Sequence, residues 1–454
     1  MGIDRRRMFA ALAGAGAFGA ASEARAAPVR EAAPRAELDA GALGLRPNAP
    51  DDQSQIFQRA IEQAAAARAV LRLPPGFYRA GGLQLPAFSA ISGVAGATRI
   101  VMAGGPSMLS ATGSDHVSIT GIVLDGAGIP LPERRGLLHL TQGRAIRIAN
   151  CEIVNSGRNG VSLESVDGEV TANAITGGDA AIFSIDARGL KISGNDIRAP
   201  GNGGILVWRS AAGDDGTLIV DNRIEGVMNK AGGSGQWGNA INVFRAGNVI
   251  VRGNRIRNAA FTAVRGNAAS NLQIVGNTCT ALGEVALYAE FGFEGAVIAN
   301  NIVDGAALGV SVTNFDKGGR LAVVQGNLIR NLIARRPPGT DPNDSAGIGI
   351  GIEADTVATG NVIENAPYAG IAAGWGAYLR DVAITSNVIR RAAFGIAVSV
   401  APGAGAAVIA DNMISDARNG AIVGMEWTKP VTGDLAKDGA ARYAQLSIVG
   451  NRVR

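Results

Sequence analysis

The stretch LKISGNDIRAPGNGGILVW, residues 190–208, contains the pattern that decides the fold. Leu190 and Ile192 alternate with polar residues up to Asn195, Ile197 follows two places later, and Gly204-Ile205-Leu206-Val207 opens a third apolar run. Alternation at period two on both sides of one asparagine reads as two short strands joined by a bend, and a Pro-Gly turn separates them from a third strand. The same asparagine recurs at Asn173, Asn195, Asn222, Asn254, Asn277, Asn301, Asn327, Asn361, Asn387, Asn412 and Asn451. Three residues earlier stands Val or Ile in every case but Ala358, and two residues later stands Ile, Val or Cys279. The intervals of 22, 27, 32, 23, 24, 26, 34, 26, 25 and 39 residues describe a solenoid whose coils share one core and differ in loop length. A helical solenoid is excluded, because the repeats hold no apolar run at 3.6 spacing and are filled with β-branched residues and many of the 64 glycines. Asparagine suits the bend: it tolerates the left-handed region, and its amide bonds to the equivalent amide one coil away. The ladder is therefore read as structural.

Upstream, residues 51–85 (DDQSQIFQRAIEQAAAARAVLRLPPGFYRAGGLQL) predict a helix capped by Asp51 or Asp52. Its stripe of Ile56, Phe57, Ala60, Ile61 and Ala64 closes the open end of the stack before Val70–Leu73 enters the first coil. Two early coils, HVSITGIVLDG and IRIANCEIVNSG, align with Thr120 and Ala149 at the bend, which puts Cys151 and Cys279 at the inward position two places after it. Five coils apart, or about 24 Å, the two cysteines are too distant for a disulfide. With His116 and His139 as the only histidines, no Cys/His metal cluster is expected. Ladder and cap together resemble the pectate-lyase superfamily over about residues 38–454. That resemblance implies an all-β fold: a single-stranded right-handed parallel β-helix with three strands per coil, an Asn ladder and an N-terminal capping helix.

The first 26 residues read as an export signal. Arg5-Arg6-Arg7 precede thirteen apolar or small residues, Phe9 to Ala21, and an Ala24-Arg25-Ala26 cleavage site. The arginines resemble the twin-arginine type, which implies the twin-arginine translocase as a partner and a periplasmic or secreted destination. Thirteen residues are too few to span a bilayer. The expected organisation is signal 1–26, a linker leading into the first coil over 27–50, and the β-helix domain over 51–454. Cleavage lowers the formal charge from +4 to +2, with 38 basic and 36 acidic residues left, which removes the argument for a nucleic-acid partner.

Function is expected on the outward face of the strand after each turn. One outward column runs Ser162, Leu206, Asn242, Arg265, Tyr288, Ser311, Gly351, Ala372, Ala397; the other runs Glu164, Trp208, Phe244, Asn267, Glu290, Thr313, Glu353, Gly374, Ser399. The middle coils concentrate Asn, Arg, Tyr and Glu, which makes Arg265, Tyr288, Glu290 and Glu353 the catalytic candidates. Trp208, Phe244 and Trp375 are candidate sugar-stacking platforms, and Asn242, Arg245, Asn267, Glu294, Asn314 and Asp316 complete the candidate substrate-binding set. Two long insertions, NKAGGSGQWGN (229–239) and ARRPPGTDPNDSAG (334–347), are expected to wall a cleft across the coils of Arg265, Tyr288 and Glu290. A third, EWTKPVTGDLAKDGAARY (426–443), is expected to shield the last coil.

Two chemistries fit this set on a polysaccharide or oligosaccharide partner. In a uronate lyase, Arg245 and Arg265 neutralise the sugar carboxylate and Tyr288 acts as base or acid. In a hydrolase two carboxylates are needed, and Glu290 with Glu353, or with Glu294 and Asp316 as closer partners, supply them. A glycan-binding protein without turnover is the third reading. The Gly-His-Gly and Asn-Thr-Asp elements of polygalacturonases, an Asp-rich calcium constellation and the Asp-His pattern of alginate epimerases are missing from the sequence, so no cofactor is expected; calcium has no motif in support. The segments WGNAINVFRAGN, YAEFGFEGAVIANN and VTNFDKGGRLAVVQGN look most like a family of twin-arginine-exported β-helix repeat proteins, a likeness that implies no particular activity.

Overall fold

The computed structural model describes residues 36–454 except 234, 339 and 341–344. The export signal lies outside the described residues. The chain winds as a parallel β-solenoid. One sheet of 16 strands runs coil by coil from Glu37–Asp39 to Leu446–Val449, every neighbour parallel. A second sheet of 28 strands gathers the other two strands of each coil. Those two columns fuse at Val362–Ala373 and Val388–Ser399, each of which pairs with strands of both columns, so three strands per coil describes the fold. Glu37–Asp39 is already a strand paired with Val70–Arg72, so the stretch expected as linker supplies the first rung.

The asparagines form one unbroken ladder from Asn173 to Asn451. Asn277 shows the unit: its Oδ1 accepts from the backbone N (2.9 Å) and Nδ2 (3.0 Å) of Asn254, and its Nδ2 donates to Val251 O and to Asn301 Oδ1, both at 3.0 Å. Every ladder amide from Asn173 to Asn412 is buried, so the bonds replace water rather than compete with it. The left-handed residue is not the asparagine but the one before it: Gly194, Gly253 and Gly276, and also Ala172, Asp221 and Ser386. The frame of the early coils also shifts by two. Val170 pairs with Ile148 and Ile175 with Ile153, which places Cys151 in the ladder position itself; its backbone N donates to Asn173 Oδ1 at 3.0 Å. An apolar side chain serves there because the position points into the core, so the ladder simply starts one coil later.

The helix Ser54–Ala66 buries Phe57, Ala60, Ile61 and Ala64, while Ile56 is half-buried. Asp52 rather than Asp51 supports its start, accepting from Ser54 N at 2.9 Å, because Asp51 is engaged by Arg46. At the other end Lys429–Asp434 pairs antiparallel with Ile422–Glu426, and the Asp434 carboxylate accepts from Ala421 N and Ile422 N. That hairpin covers donors the last coil would leave open. No helix among the described residues is long and apolar enough to cross a membrane.

Candidate functional site

The outward columns have the register read from the sequence, with one further coil, that of Phe183 and Ile185, between Ser162 and Leu206. What the middle coils do with their polar residues differs from the expectation. Arg265 Nε and Nη2 donate to the two carboxylate oxygens of Glu290 at 2.6 and 3.0 Å, and Asn267 Nδ2 adds a bond to Glu290 Oε1 at 2.8 Å. Arg265 Nη1 donates to Gly235 O of the first insertion at 3.1 Å and stands 3.7 Å from Glu284 Oε2. Glu284 also accepts from Thr262 Oγ1 at 3.1 Å and from Arg336 Nη1 of the second insertion at 3.0 Å. The side chains of Arg265, Glu284 and Glu290 are 9%, 4% and 2% exposed. The pair that was to face substrate is thus a buried, charge-compensated relay that ties both insertions to the coils. Burial works against the charge of Arg265, and Glu290 and Glu284 outweigh it, so the guanidinium stays protonated.

The cleft opens beside this relay, not across it. Its volume is about 340 Å³, in the range of small-ligand sites. Ser311, Gly351 and Ala372 form the floor, Tyr288 and Arg336 with Ser345 stand at one end, and Trp375 stands at the other. The space exists because the outward column presents no large side chain after Tyr288. Tyr288 lies under Arg265, with the guanidinium carbon 5.3 Å from the ring centroid. Burial, reinforced by Glu290, pushes its phenol upward, so it stays protonated. Glu353 lines the cleft, and Phe315 N donates to its Oε2 at 2.7 Å. Burial raises its carboxyl to about 7, and the negative charge of Asp316 adds to the effect.

Tyr288, Asn314, Glu353 and Trp375 therefore share one cleft, with Asp316 near enough to act on Glu353 through charge. Glu290 does not join Glu353 as a second carboxylate, since both its oxygens are held by Arg265. Glu294 is exposed and paired with Arg320, and Asp316 lies 3.3 Å from Lys317. Arg245 is separate from Arg265: it sits over the Phe244 ring at 4.7 Å and donates to Ser210 O. Trp208, whose Nε1 donates to Asn242 Oδ1 at 3.0 Å, packs with Phe183, Trp237 and Phe244, and with the first two it lines a second hollow of about 420 Å³. Sequence reasoning missed Glu284, Arg336 and Trp237. The last two stand inside the quoted insertions, where an Arg and a Trp among small residues were the available signal.

Three overlapping stretches, residues 107–227, 135–325 and 203–381, match the model of the right-handed beta helix region. No curated protein is significantly similar to the chain. Among solved structures, an N-terminal fragment of bacteriophage phi29 gene product 12 is similar with TM-score 0.55 and 13% identity, over 92% of this chain and 72% of that one. The catalytic unit of a thermostable GH87 α-1,3-glucanase from Streptomyces thermodiastaticus strain HF3-3 is similar with TM-score 0.49 and 16% identity, over 92% and 68%. Likeness at such identities is likeness of fold.

Proposed function

The chain belongs to the family of right-handed beta helix regions, and from that premise we propose that it is an exported enzyme acting on a polysaccharide at the cleft between Tyr288 and Trp375. The observation that carries the reading is Glu353, a carboxyl raised to about 7 on the wall of a cleft that also holds a protonated phenol and an exposed indole. A group poised near neutrality can take or give a proton at ordinary pH. Tyr288 and Gly351 are two coils apart, about 10 Å along the stack, a span that fits a sugar unit between phenol and carboxyl.

The reaction this set supports best is β-elimination on a uronate. Ionised Glu353 takes the proton on the carbon next to the sugar carboxylate. The electron pair forms the new carbon–carbon double bond, the bond to the glycosidic oxygen breaks, and Tyr288 protonates the departing oxygen. Arg336, paired with Glu284, is the guanidinium that lines the cleft where the sugar carboxylate would lie. Hydrolysis is the second reading, favoured by one observation: the charge of Asp316 raises Glu353, as one carboxylate raises the other in an acid/base pair. There Glu353 gives its proton to the leaving oxygen and Asp316 activates water.

The test is a screen of acidic and neutral polysaccharides with the mature protein. Ultraviolet absorbance of an unsaturated uronate supports elimination; new reducing ends without it support hydrolysis. Neither product from any polysaccharide would overturn the enzymatic reading, and retained turnover in Glu353→Gln would move the chemistry elsewhere.

A further inference from the structure

Three aromatic rings stand exposed at the end of the cleft away from Arg336. Trp375, Tyr378 and Trp427 are 36%, 38% and 51% exposed. Trp375 and Tyr378 share one tight turn after Val362–Ala373, closed by Trp375 N to Tyr378 O (3.2 Å) and Tyr378 N to Trp375 O (3.0 Å). Buried Ser399 pins that turn, its Oγ donating to Gly376 O at 2.6 Å. Trp427 arrives from the terminal hairpin, its ring centroid 5.5 Å from Trp375 and 6.5 Å from Tyr378, steeply tilted to both.

The placement of Trp427 works against elementary preferences. Its φ of 55° is in the left-handed region, which bulky side chains rarely adopt. Its indole lies so close to Gly376 that a Cβ there would meet the ring at 2.4 Å, so any other residue at 376 displaces it. Half of the Trp427 surface nevertheless remains in water. The hairpin turn between Glu426 and Lys429 sets its φ, as bends do at Phe88, Arg245 and Phe291, so the pointer to a ligand is the convergence of three exposed rings at one end of the cleft.

Resting on the glycan reading of the cleft, we infer that Trp375, Tyr378 and Trp427 form a sugar-stacking subsite that receives the units of a glycan chain leaving the cleft. The apolar faces of pyranose rings stack on aromatic rings. The chain leaves toward this end because Arg265, Glu284 and Arg336 hold the insertions at the other, beside Tyr288. Rings set at steep angles surround a single chain and do not present the flat plate that a crystalline polymer needs.

Binding separates this subsite from the chemistry. In a Glu353→Gln background, dimers and hexamers of galacturonate, mannuronate and glucose are titrated calorimetrically against the protein with Trp427 and Tyr378 intact, and against Trp427→Ala and Tyr378→Ala. Hexamer affinity is expected to fall about tenfold in each variant, the effect of one stacked ring, while dimer affinity changes less than about twofold. Trp427→Phe should recover part of the loss, which a merely structural effect would not tie to ring character. Unchanged hexamer affinity in both alanine variants would overturn the subsite and leave the cleft proposal standing. Loss of hexamer binding in a protein whose wild type turns over no glycan would sustain the subsite and overturn the catalytic reading. Binding of no oligosaccharide by the intact protein would overturn both.

Discussion

At the scale of single residues the ladder and the cleft make opposite demands on polar side chains. Asn277 satisfies four bonds inside the stack. Asn277→Ala strips Asn254 of its acceptor and leaves buried donors unpaired, so unfolding in urea should show a loss of roughly 3 kcal/mol. An unchanged midpoint would deny the ladder its stabilising role. Glu353 is the reverse case, a carboxyl kept partly desolvated on the wall of the cleft. Its folded pKa of about 7 lies above the unfolded value of 4.5, so the stabilisation it provides is present below pH 4.5 and is lost as pH rises through about 7. Glu353→Gln should therefore be more stable than wild type at pH 8 and gain nothing at pH 4, measured by thermal melting at both. Activity gives a sharper sign. If Glu353 is the base of an elimination, kcat/KM rises with pH through about 7, and if it is the acid of a hydrolase, it falls. A pH-independent rate across that range would remove Glu353 from either role.

Among elements, the two insertions matter more than the strands they interrupt. The first reaches Arg265 through Gly235 O and the second reaches Glu284 through Arg336, so one buried chain of charges holds both against the middle coils. Glu284→Gln removes the central carboxylate from between two guanidinium groups. Breaking a buried pair from one side costs about 3–5 kcal/mol because the remaining charge is left uncompensated. The expected result is a lower urea midpoint together with faster tryptic cleavage after Arg335; a cut rate equal to wild type would show that Arg336 is held by other contacts. The same substitution should impair turnover, since Arg336 and Ser345 stand at the end of the cleft. The terminal hairpin belongs to this scale too: Asp434 covers the open donors of Ala421 and Ile422, while its turn carries Trp427 out to the aromatic group, so one element both ends the sheet and extends the site.

At the scale of the whole molecule, the described residues wind as one stack, and export is expected to follow from the first residues. Replacing Arg6 and Arg7 by lysine should keep folded precursor in the cytoplasm, because a twin-arginine signal is read through guanidinium geometry and not charge alone. Cell fractionation decides, and mature protein in the periplasm at normal yield would show another route. The sequence by itself determined the stack: eleven asparagines at fixed offsets from β-branched residues dictate bend, core and register, since each is a local rule repeated and a repeat leaves no other partner than the next coil. It also placed the outward columns in register from Leu206 to Ala397. It could not tell that Cys151 stands in the ladder, because an inward bend position accepts any side chain that fills the core. Nor could it tell an exposed polar cluster from a buried one. Arg265, Tyr288 and Glu290 are neighbours either way, but whether they meet water depends on Glu284, just before the strand of Tyr288 and Glu290, and on Gly235 and Arg336, which the two insertions bring from 30 residues before Arg265 and 46 after Glu290. The cleft itself was visible only as Ser311, Gly351 and Ala372, and small residues become a cavity only when the tertiary structure raises walls around them.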